Sequence, residues 1–254
     1  MRLVFFGTSG PLPTGKNGNV SFAVAVENTS ILIDASGNPV QNLLRAGFDP
    51  LELDAVILTH THTDHIYGLP SLLHALWMLK REKPLLMIAN PVTAAFAREL
   101  SNLFRLLQRE NLFSITWEEL EDGQVSLSKA LKVGLFPVEH STPTSGVKLI
   151  TGTSVLVYSC DTSPCRRVIE KATGAQALIH EASGNRGLER RLNPAGHSSA
   201  RQAGEIAARA GVKTLFLAHF DYRASLKESD LEAEASESFS GEVIVPELFK
   251  EYEI

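Results

Sequence analysis

Short runs of apolar, often β-branched residues recur along the chain, and stretches with helical spacing of apolar positions separate them. Short apolar runs bounded by turn residues favour strands, whereas apolar positions three and four residues apart favour helices. The predicted strands are Arg2–Phe6, Ser21–Val26, Ser30–Ile33, Ala55–Leu58, Leu85–Ile88, Leu131–Val138, Ser154–Tyr158, Ala177–Ile179 and Thr214–Leu217. The predicted helices are Pro39–Ala46, Gly68–Lys80, Val92–Gln108, Pro164–Ala172 and Ser198–Ala210. This alternation indicates an α/β protein.

The strands fall into two sets, one ending near Val138 and one beginning near Val147, and helices follow the strands of both sets. Two sheets packed face to face with helices outside, a four-layer αββα sandwich, would bury both sets. A single doubly wound sheet would also do so, and periodicity does not choose between them. We find no long linker, repeat or low-complexity tract, which predicts one domain over residues 1–254. The acidic, serine-rich segment Lys227–Gly241 is predicted to be a mobile surface segment.

The charge balance limits the partners of the protein. A net charge of -5 and a pI near 5.9 argue against a broad basic face for nucleic acid, because phosphate contacts supply most non-specific affinity. A local basic patch near the suspected site is an alternative to scattered surface charges, and its members would be Arg186, Arg190, Arg191 and Arg201.

Targeting and redox signals are sparse in the sequence. No apolar run approaches the roughly 18 to 20 residues that span a bilayer, and no signal-peptide pattern follows Met1, so we predict a cytoplasmic protein without a membrane partner. Cys160 and Cys165 are too few for a disulfide framework and are predicted to be free thiols.

A dense group of metal-ligand side chains follows the predicted strand Ala55–Leu58. His60, His62, Asp64 and His65 lie within six residues. Imidazole suits zinc and neighbouring first-row metals, and a carboxylate adds negative charge that helps to hold a second cation. The spacing differs from the i, i+4 pair of a helical zinc site, which predicts a loop at the end of the strand. An isolated histidine such as His74, inside an apolar helical pattern, is better explained as structural.

The pattern His60-x-His62-x-Asp64-His65 resembles the signature of the metallo-β-lactamase superfamily, and further segments resemble its ribonuclease Z branch. These segments, in the order of the family, are Phe6–Pro13, Leu32–Asn38, Val138–Ser141, Tyr158–Thr162, Ile179–Ser183, Gly196–Ala200 and Ala218–Phe220. The resemblance covers most of the chain. It implies the αββα sandwich rather than the single sheet.

The resemblance also implies a site for two divalent metal ions. By position, one ion would be held by His60, His62 and His140, the other by Asp64, His65 and His219, with Asp161 bridging both. Zn²⁺ is the default for such ligands, with Mn²⁺ or Fe as alternatives. A metal-activated water would attack a phosphodiester. Asp64 is predicted to be essential for turnover as well as a ligand.

Two further residues narrow the predicted chemistry. The resemblance implies that His197 acts as a general acid polarised by Glu181, with a supporting or hydrogen-bonding role for Glu181 as the alternative. Asp34 would fix a histidine tautomer without touching metal. His180, the neighbour of Glu181 on a strand, should point to the opposite face and take no part in catalysis.

The predicted function is that of a binuclear metal-dependent phosphodiesterase resembling the tRNA 3′-processing endonuclease ribonuclease Z. Its substrate would be an RNA 3′ end or a small nucleotide diester. Alternatives within the fold are hydrolases of cyclic nucleotides, sulfate esters, lactones or thioesters. A non-catalytic module that kept the fold is disfavoured, because no expected ligand is missing. A homodimer is expected from the resemblance alone.

The chain departs from the family pattern in two places. Long-form ribonuclease Z enzymes carry an arm for the tRNA elbow between the third ligand motif and the bridging aspartate, but only Ser141–Cys160 lies between His140 and Asp161 here. That length suits a turn and two strands, which predicts that the arm is absent. The last motif, Ala218–Arg223, lacks the usual Ser after His-Phe. Whether a folded tRNA binds is therefore left open by the sequence.

Overall fold

The computed structural model describes residues 1–224 and 226–254, and within these ranges the strands form an eight-stranded and a seven-stranded sheet packed face to face. The first sheet contains β1 (Arg2–Ser9), β2 (Gly18–Asn19), β3 (Ser21–Val26), β4 (Thr29–Ile33), β5 (Ala55–Leu58), β6 (Leu85–Ala89), β7 (Ile115–Glu119) and β15 (Glu251–Glu253). The second contains β8 (Gly123–Ser126), β9 (Lys132–Pro137), β10 (Ser145–Ile150), β11 (Val155–Tyr158), β12 (Ala177–Glu181), β13 (Thr214–Ala218) and β14 (Glu242–Ile244). Their orders are β15-β1-β3-β4-β5-β6-β7, with β2 beside β1, and β14-β13-β12-β11-β10-β9-β8.

Helices cover the outer face of each sheet. The helices are α1 (Pro39–Arg45), α2 (Thr63–Ile66), α3 (Leu69–Met78), α4 (Pro91–Leu103), α5 (Arg166–Ala172), α6 (Glu189–Leu192), α7 (Ala200–Ala210) and α8 (Glu228–Ser236). Side chains of α1, α3 and α4 share one apolar cluster with the first sheet, and those of α5, α7 and α8 share another with the second. The predicted four-layer αββα sandwich is therefore confirmed. None of the helices in the described ranges is long and apolar enough to cross a membrane.

Strand β1 shows how the layers are held together. Leu3 and Phe5 point between the sheets, whereas Val4 and Phe6 point toward the helices. The Phe5 ring lies 5.7 Å from the ring of Phe216 on β13, so the two sheets meet through aromatic contact. Burying one such side chain contributes about 1.5–3 kcal/mol. Because both faces of β1 are buried, its sequence is a continuous apolar run rather than an alternating one.

The parallel strands of both sheets end at one edge of the sandwich. Strands β4, β5 and β6 are parallel neighbours, as are β11, β12 and β13. At this edge the Ser145 N–H donates to the Thr59 carbonyl at 3.0 Å, and the Phe220 N–H donates to the Thr8 carbonyl at 2.9 Å. Loops from the two sheets are thus brought together where parallel sheets usually carry their binding sites.

Several sequence-based boundaries differ from the structure. The predicted strand Leu131–Val138 was placed in the first set, but β9 pairs with β10 and belongs to the second sheet. The helix predicted to reach Gln108 ends at Leu103. The prediction of a mobile segment at Lys227–Gly241 is wrong, since this segment contains α8, whose Leu231 and Ala235 are buried. The prediction failed because charged residues dominate the sequence of α8, although its few apolar side chains pack on α7.

Helix α7 approaches α8 closely at Gly204, where an added Cβ atom would lie 2.3 Å from the Ala235 carbonyl oxygen. In an unobstructed helix, replacing Gly by Ala stabilises by about 1 kcal/mol. Here the overlap involves backbone, so we expect Gly204→Ala to lower the free energy of unfolding by about 1–3 kcal/mol in urea denaturation. Arg209→Ala, exposed on the same helix, should change it by less than about 0.5 kcal/mol. A stabilised Gly204→Ala chain would contradict this packing.

Candidate metal centre

The segment between β5 and α3 presents four of the predicted ligands from a loop and one helical turn. His60 and His62 lie in the loop, and His62 has an extended backbone with φ -62° and ψ 143°. Asp64 and His65 lie in α2, so the prediction that a loop presents all four holds for only two of them. The side chains of His60 and His65 are completely buried.

One group of ligand-type side chains contains His60, His62, His140 and Asp161, whose ligand atoms all lie within 4.8 Å of one another. His140 Nε2 lies 3.1 Å from His62 Nδ1. Asp161 Oδ2 lies 3.7 Å from His60 Nε2 and 3.8 Å from His140 Nε2. These separations leave room for one cation among the four side chains.

A second group contains Asp64, His65 and His219. Asp64 Oδ2 lies 3.6 Å from His65 Nε2 and 3.5 Å from His219 Nε2. Asp161 Oδ2 also reaches this group, at 3.5 Å from His65 Nε2 and 3.0 Å from His219 Nε2. Asp161 therefore stands between the two groups, and the structure brings all seven predicted ligands together.

Several nitrogen and oxygen atoms of these side chains lack hydrogen-bond partners within the described part of the chain, as expected for atoms that bind a metal. Among the described residues, the buried atoms without a hydrogen-bond partner include His60 Nε2, His65 Nε2, His219 Nε2 and Asp161 Oδ1. Each such atom costs about 1–3 kcal/mol when it is left unpaired. All four face the same small region, and imidazole with carboxylate is a donor set that divalent first-row metals accept.

Shifts of pKa in opposite directions accompany this crowding. Burial, together with the neighbouring charge of His65, lowers the pKa of His60 well below its usual value. Burial acts in the same direction on His219, but the charge of Asp161 outweighs it and raises the pKa of His219 to about 10. Positive charge, as a proton or a cation, is therefore favoured beside Asp161.

The far nitrogen of most of these imidazoles is held by a hydrogen bond. His65 Nδ1 lies 2.7 Å from Asp34 Oδ2, His140 Nδ1 lies 2.7 Å from the Gly196 carbonyl oxygen, and His219 Nδ1 lies 3.0 Å from Ser183 Oγ. Such bonds set the tautomer and aim the opposite nitrogen at the centre. The role predicted for Asp34 matches its contact with His65. The sequence analysis missed Ser183 and Gly196, since neither residue type signals such a contact by itself.

Three non-glycine residues at the edge adopt a left-handed backbone. Their φ angles are 57° at Asp34, 55° at Cys160 and 59° at His219. Each follows the end of a parallel strand, namely β4, β11 or β13. Such conformations cost of order 1–3 kcal/mol each and persist where the surrounding structure enforces them. They turn the chain sharply, so that the side chains meet.

Glu181 and His197 form a pair beside the ligands. The buried carboxylate of Glu181 accepts hydrogen bonds from the Ser198 N–H at 3.0 Å and from the Ser183 hydroxyl at 2.8 Å. His197 Nδ1 lies 3.1 Å from Glu181 Oε1, and the His197 ring lies 4.9 Å from that of His140. His197 also falls into a ligand-type group with Asp161 and His219. Burial lowers the pKa of His197, but the charge and hydrogen bond of Glu181 outweigh burial and raise it.

The remaining histidines lie apart from this centre. His180 is fully buried, with Nδ1 at 2.8 Å from the Glu181 carbonyl oxygen. None of the ligand-type groups found in the described ranges includes His180 or His74. His74 is exposed on α3.

Of the four arginines considered for a local basic patch, Arg186, Arg191 and Arg201 form ion pairs with carboxylates. Arg186 contacts Glu234 and Glu237. Arg201 contacts Glu189, with Arg201 Nη2 at 2.8 Å from Glu189 Oε2, and also Glu205.

The segment from Ser141 to Cys160 consists of a turn and strands β10 and β11, as its length predicted.

Comparison with known proteins places these residues in a family. Residues 29–220 match the family model described as the beta-lactamase superfamily domain. The ribonuclease Z of Methanothermobacter thermautotrophicus is 28% identical, over 92% of this chain and 91% of that protein. The alignment spans 286 positions, more than the 254 residues of this chain, so that relative carries segments which this chain lacks.

Two solved structures share the fold. The metallo-beta-lactamase fold protein YhfI from Bacillus subtilis has a TM-score of 0.83 at 22% identity, covering 99% of this chain and 98% of that one. Human tRNase Z, short form, has a TM-score of 0.84 at 20% identity, covering 100% and 99%.

Gly196 tests how the centre is held. Its φ is +82°, and an added Cβ atom would lie 2.7 Å from His140 Nδ1. Gly211 also has a positive φ of +65°, but there the Cβ atom would meet none of the described atoms within 4 Å. We expect both Ala variants to lose about 1–2 kcal/mol of stability from the backbone alone. Only Gly196→Ala should bind less divalent metal, measured as metal content after loading, and equal metal content in both variants would contradict the placement of His140 in the metal centre.

Proposed function

Because the chain belongs to the family of the beta-lactamase superfamily domain, we propose that it is a metal-dependent phosphodiesterase resembling ribonuclease Z. The observation that carries the proposal is the Glu181–His197 pair placed beside two groups of metal-ligand side chains. A site for cleaving phosphodiesters needs both positive charge at the phosphate and a proton donor for the leaving oxygen.

In this proposal His60, His62 and His140 hold one ion, Asp64, His65 and His219 hold the other, and Asp161 lies between them. Zinc is the default metal for imidazole with carboxylate, and manganese or iron are alternatives. Two divalent cations, when bound, supply Lewis acidity that neutralises phosphate charge and activates water.

His197 is proposed to deliver the proton. Glu181 holds Nδ1 of the His197 ring, which leaves Nε2 to face a bound substrate. As the bond from phosphorus to the leaving oxygen breaks, the Nε2 proton passes to that oxygen and the ring becomes neutral. The carboxylate of Glu181 raises the pKa of His197 above its usual value, which favours the protonated, donating form of the ring.

The substrate is proposed to be an RNA 3′ end or a small nucleotide diester. The ribonuclease Z relative and the human tRNase Z support an RNA substrate. The short Ser141–Cys160 segment, the ion-paired arginines and the net charge of -5 argue against an extended binding surface for folded tRNA.

The homodimer expected from the resemblance stays a prediction, which elution at the monomer mass in gel filtration would contradict. The cytoplasmic location also stays a prediction.

The substrate class is tested by measuring hydrolysis of bis-p-nitrophenyl phosphate and of a 3′-extended precursor tRNA, with and without chelator, on protein of known metal content. Chelator-sensitive cleavage of the small diester is the expected result, and cleavage of the precursor tRNA as well would support an RNA 3′ end as the substrate. Cleavage of only the small diester would point to a small-molecule phosphodiesterase. Inactivity on both with two metals bound would overturn the proposal in favour of sulfate esters, lactones or thioesters.

The role of His197 is tested by a change of leaving group. For 3′-extended RNA, whose leaving oxygen needs a proton, we expect His197→Ala to lower kcat by about 10²–10⁴-fold. Bis-p-nitrophenyl phosphate has a leaving group that departs unprotonated, so its hydrolysis should fall much less. Glu181→Gln should show the same selectivity in milder form, and His74→Ala should match the unmodified chain. An equal loss on both substrates together with lost zinc would make His197 a metal ligand instead.

A further inference from the structure

The hydrogen bonds beneath the centre connect the two metal positions. In the proposed centre His60 and His65 serve different metal positions, although ligand atoms of the two also group together with Cys160. Each ring has a buried Nε2 that is unpartnered among the described residues. An imidazole can offer Nε2 to a metal only when that atom carries no proton, so the proton must sit on Nδ1 and be donated there. What receives the Nδ1–H bond therefore decides whether each ring is a ligand.

For His65 the acceptor is direct. Asp34 Oδ2 lies 2.7 Å from His65 Nδ1, and Asp34 is almost fully buried with its backbone at φ 57°. The same carboxylate accepts the Thr59 N–H at Oδ1 at 2.9 Å. It also accepts the Thr59 hydroxyl, at 2.9 Å to Oδ1 and 3.0 Å to Oδ2. Asp34 is thus held on several sides.

For His60 the acceptor is the hydroxyl of its chain neighbour. Thr59 Oγ1 lies 3.1 Å from His60 Nδ1, and both residues are completely buried. A threonine hydroxyl has one proton, which Thr59 gives to Asp34, so toward His60 it can only accept. This direction of donation puts the proton of His60 on Nδ1 and leaves Nε2 unprotonated.

We propose that Thr59 is a positioning residue that links His60 to Asp34, so that one buried carboxylate orients a ligand ring of each metal position. The inference rests on the proposed metal centre. Cys160 is the competing contact, with Sγ at 3.6 Å from His60 Nδ1. Sulfur is a weak acceptor and lies farther away, so Thr59 is the better partner.

The test is a zinc titration of the metal-free chain against a chromophoric chelator, which yields two stepwise dissociation constants. His140→Ala and His219→Ala identify which constant belongs to which position. Thr59→Val removes the hydroxyl at nearly constant volume and keeps the backbone N–H bond to Asp34. We expect it to weaken the position that His140→Ala abolishes by about 10–100-fold, the usual effect of losing such a support, and to change the other position less.

Thr59→Ser keeps the hydroxyl and should restore tight binding, whereas Cys160→Ala should bind zinc like the unmodified chain. Thermal unfolding of the metal-free variants separates a loss of folding from a loss of binding. If the unmodified chain binds fewer than two ions, the metal centre itself is wrong. If it binds two and Thr59→Val binds both equally well, or if Cys160→Ala shows the selective loss, the link through Thr59 is wrong.

Discussion

The structure of the site depends on the burial of one carboxylate, Asp161. An ionised carboxylate out of water costs several kcal/mol unless positive charge and hydrogen-bond donors surround it. Burial alone would raise the pKa of Asp161, but the neighbouring charges of His219 and His65 hold it well below its usual value. Its Oδ2 lies between 3.0 and 3.8 Å from the Nε2 atoms of four imidazoles. Whatever cation or protons fill the centre must satisfy this one charge.

The fold meets this requirement by bringing together segments that are far apart in the chain. Parallel strands of both sheets end at one edge, and left-handed residues at Asp34, Cys160 and His219 turn the chain within two residues of the ends of three of those strands. The strain of these left-handed residues is tolerated because apolar layers between and outside the sheets hold the strands in register. Close approach of Gly196 to His140 follows from the same convergence. Rigid strands thus position a polar centre that would not assemble by itself.

The proposed proton donor and the proposed metal ligands share this framework. Ser183 contacts both Glu181 and His219, so the hydrogen bonds of the proposed general acid and of the second ligand group meet at one hydroxyl. Thr59 plays the corresponding part between His60 and Asp34. Neutral hydroxyls suit such junctions, since one oxygen can donate and accept at once.

What the sequence determined by itself was the local chemistry. The His60–His65 spacing after an apolar strand predicts a metal site from the sequence alone because the strand, the turn and these ligands are contiguous. The further motifs, in their order along the chain, predicted the family and the sandwich fold, and both are confirmed. Tertiary structure decided the rest. Whether Leu131–Val138 joins the first or the second sheet depends on strand pairing, which alternation does not encode. The acceptor of His60 Nδ1, Thr59 rather than Cys160, depends on the distances from that atom to its chain neighbour and to a residue a hundred positions away, and only the folded chain sets both distances.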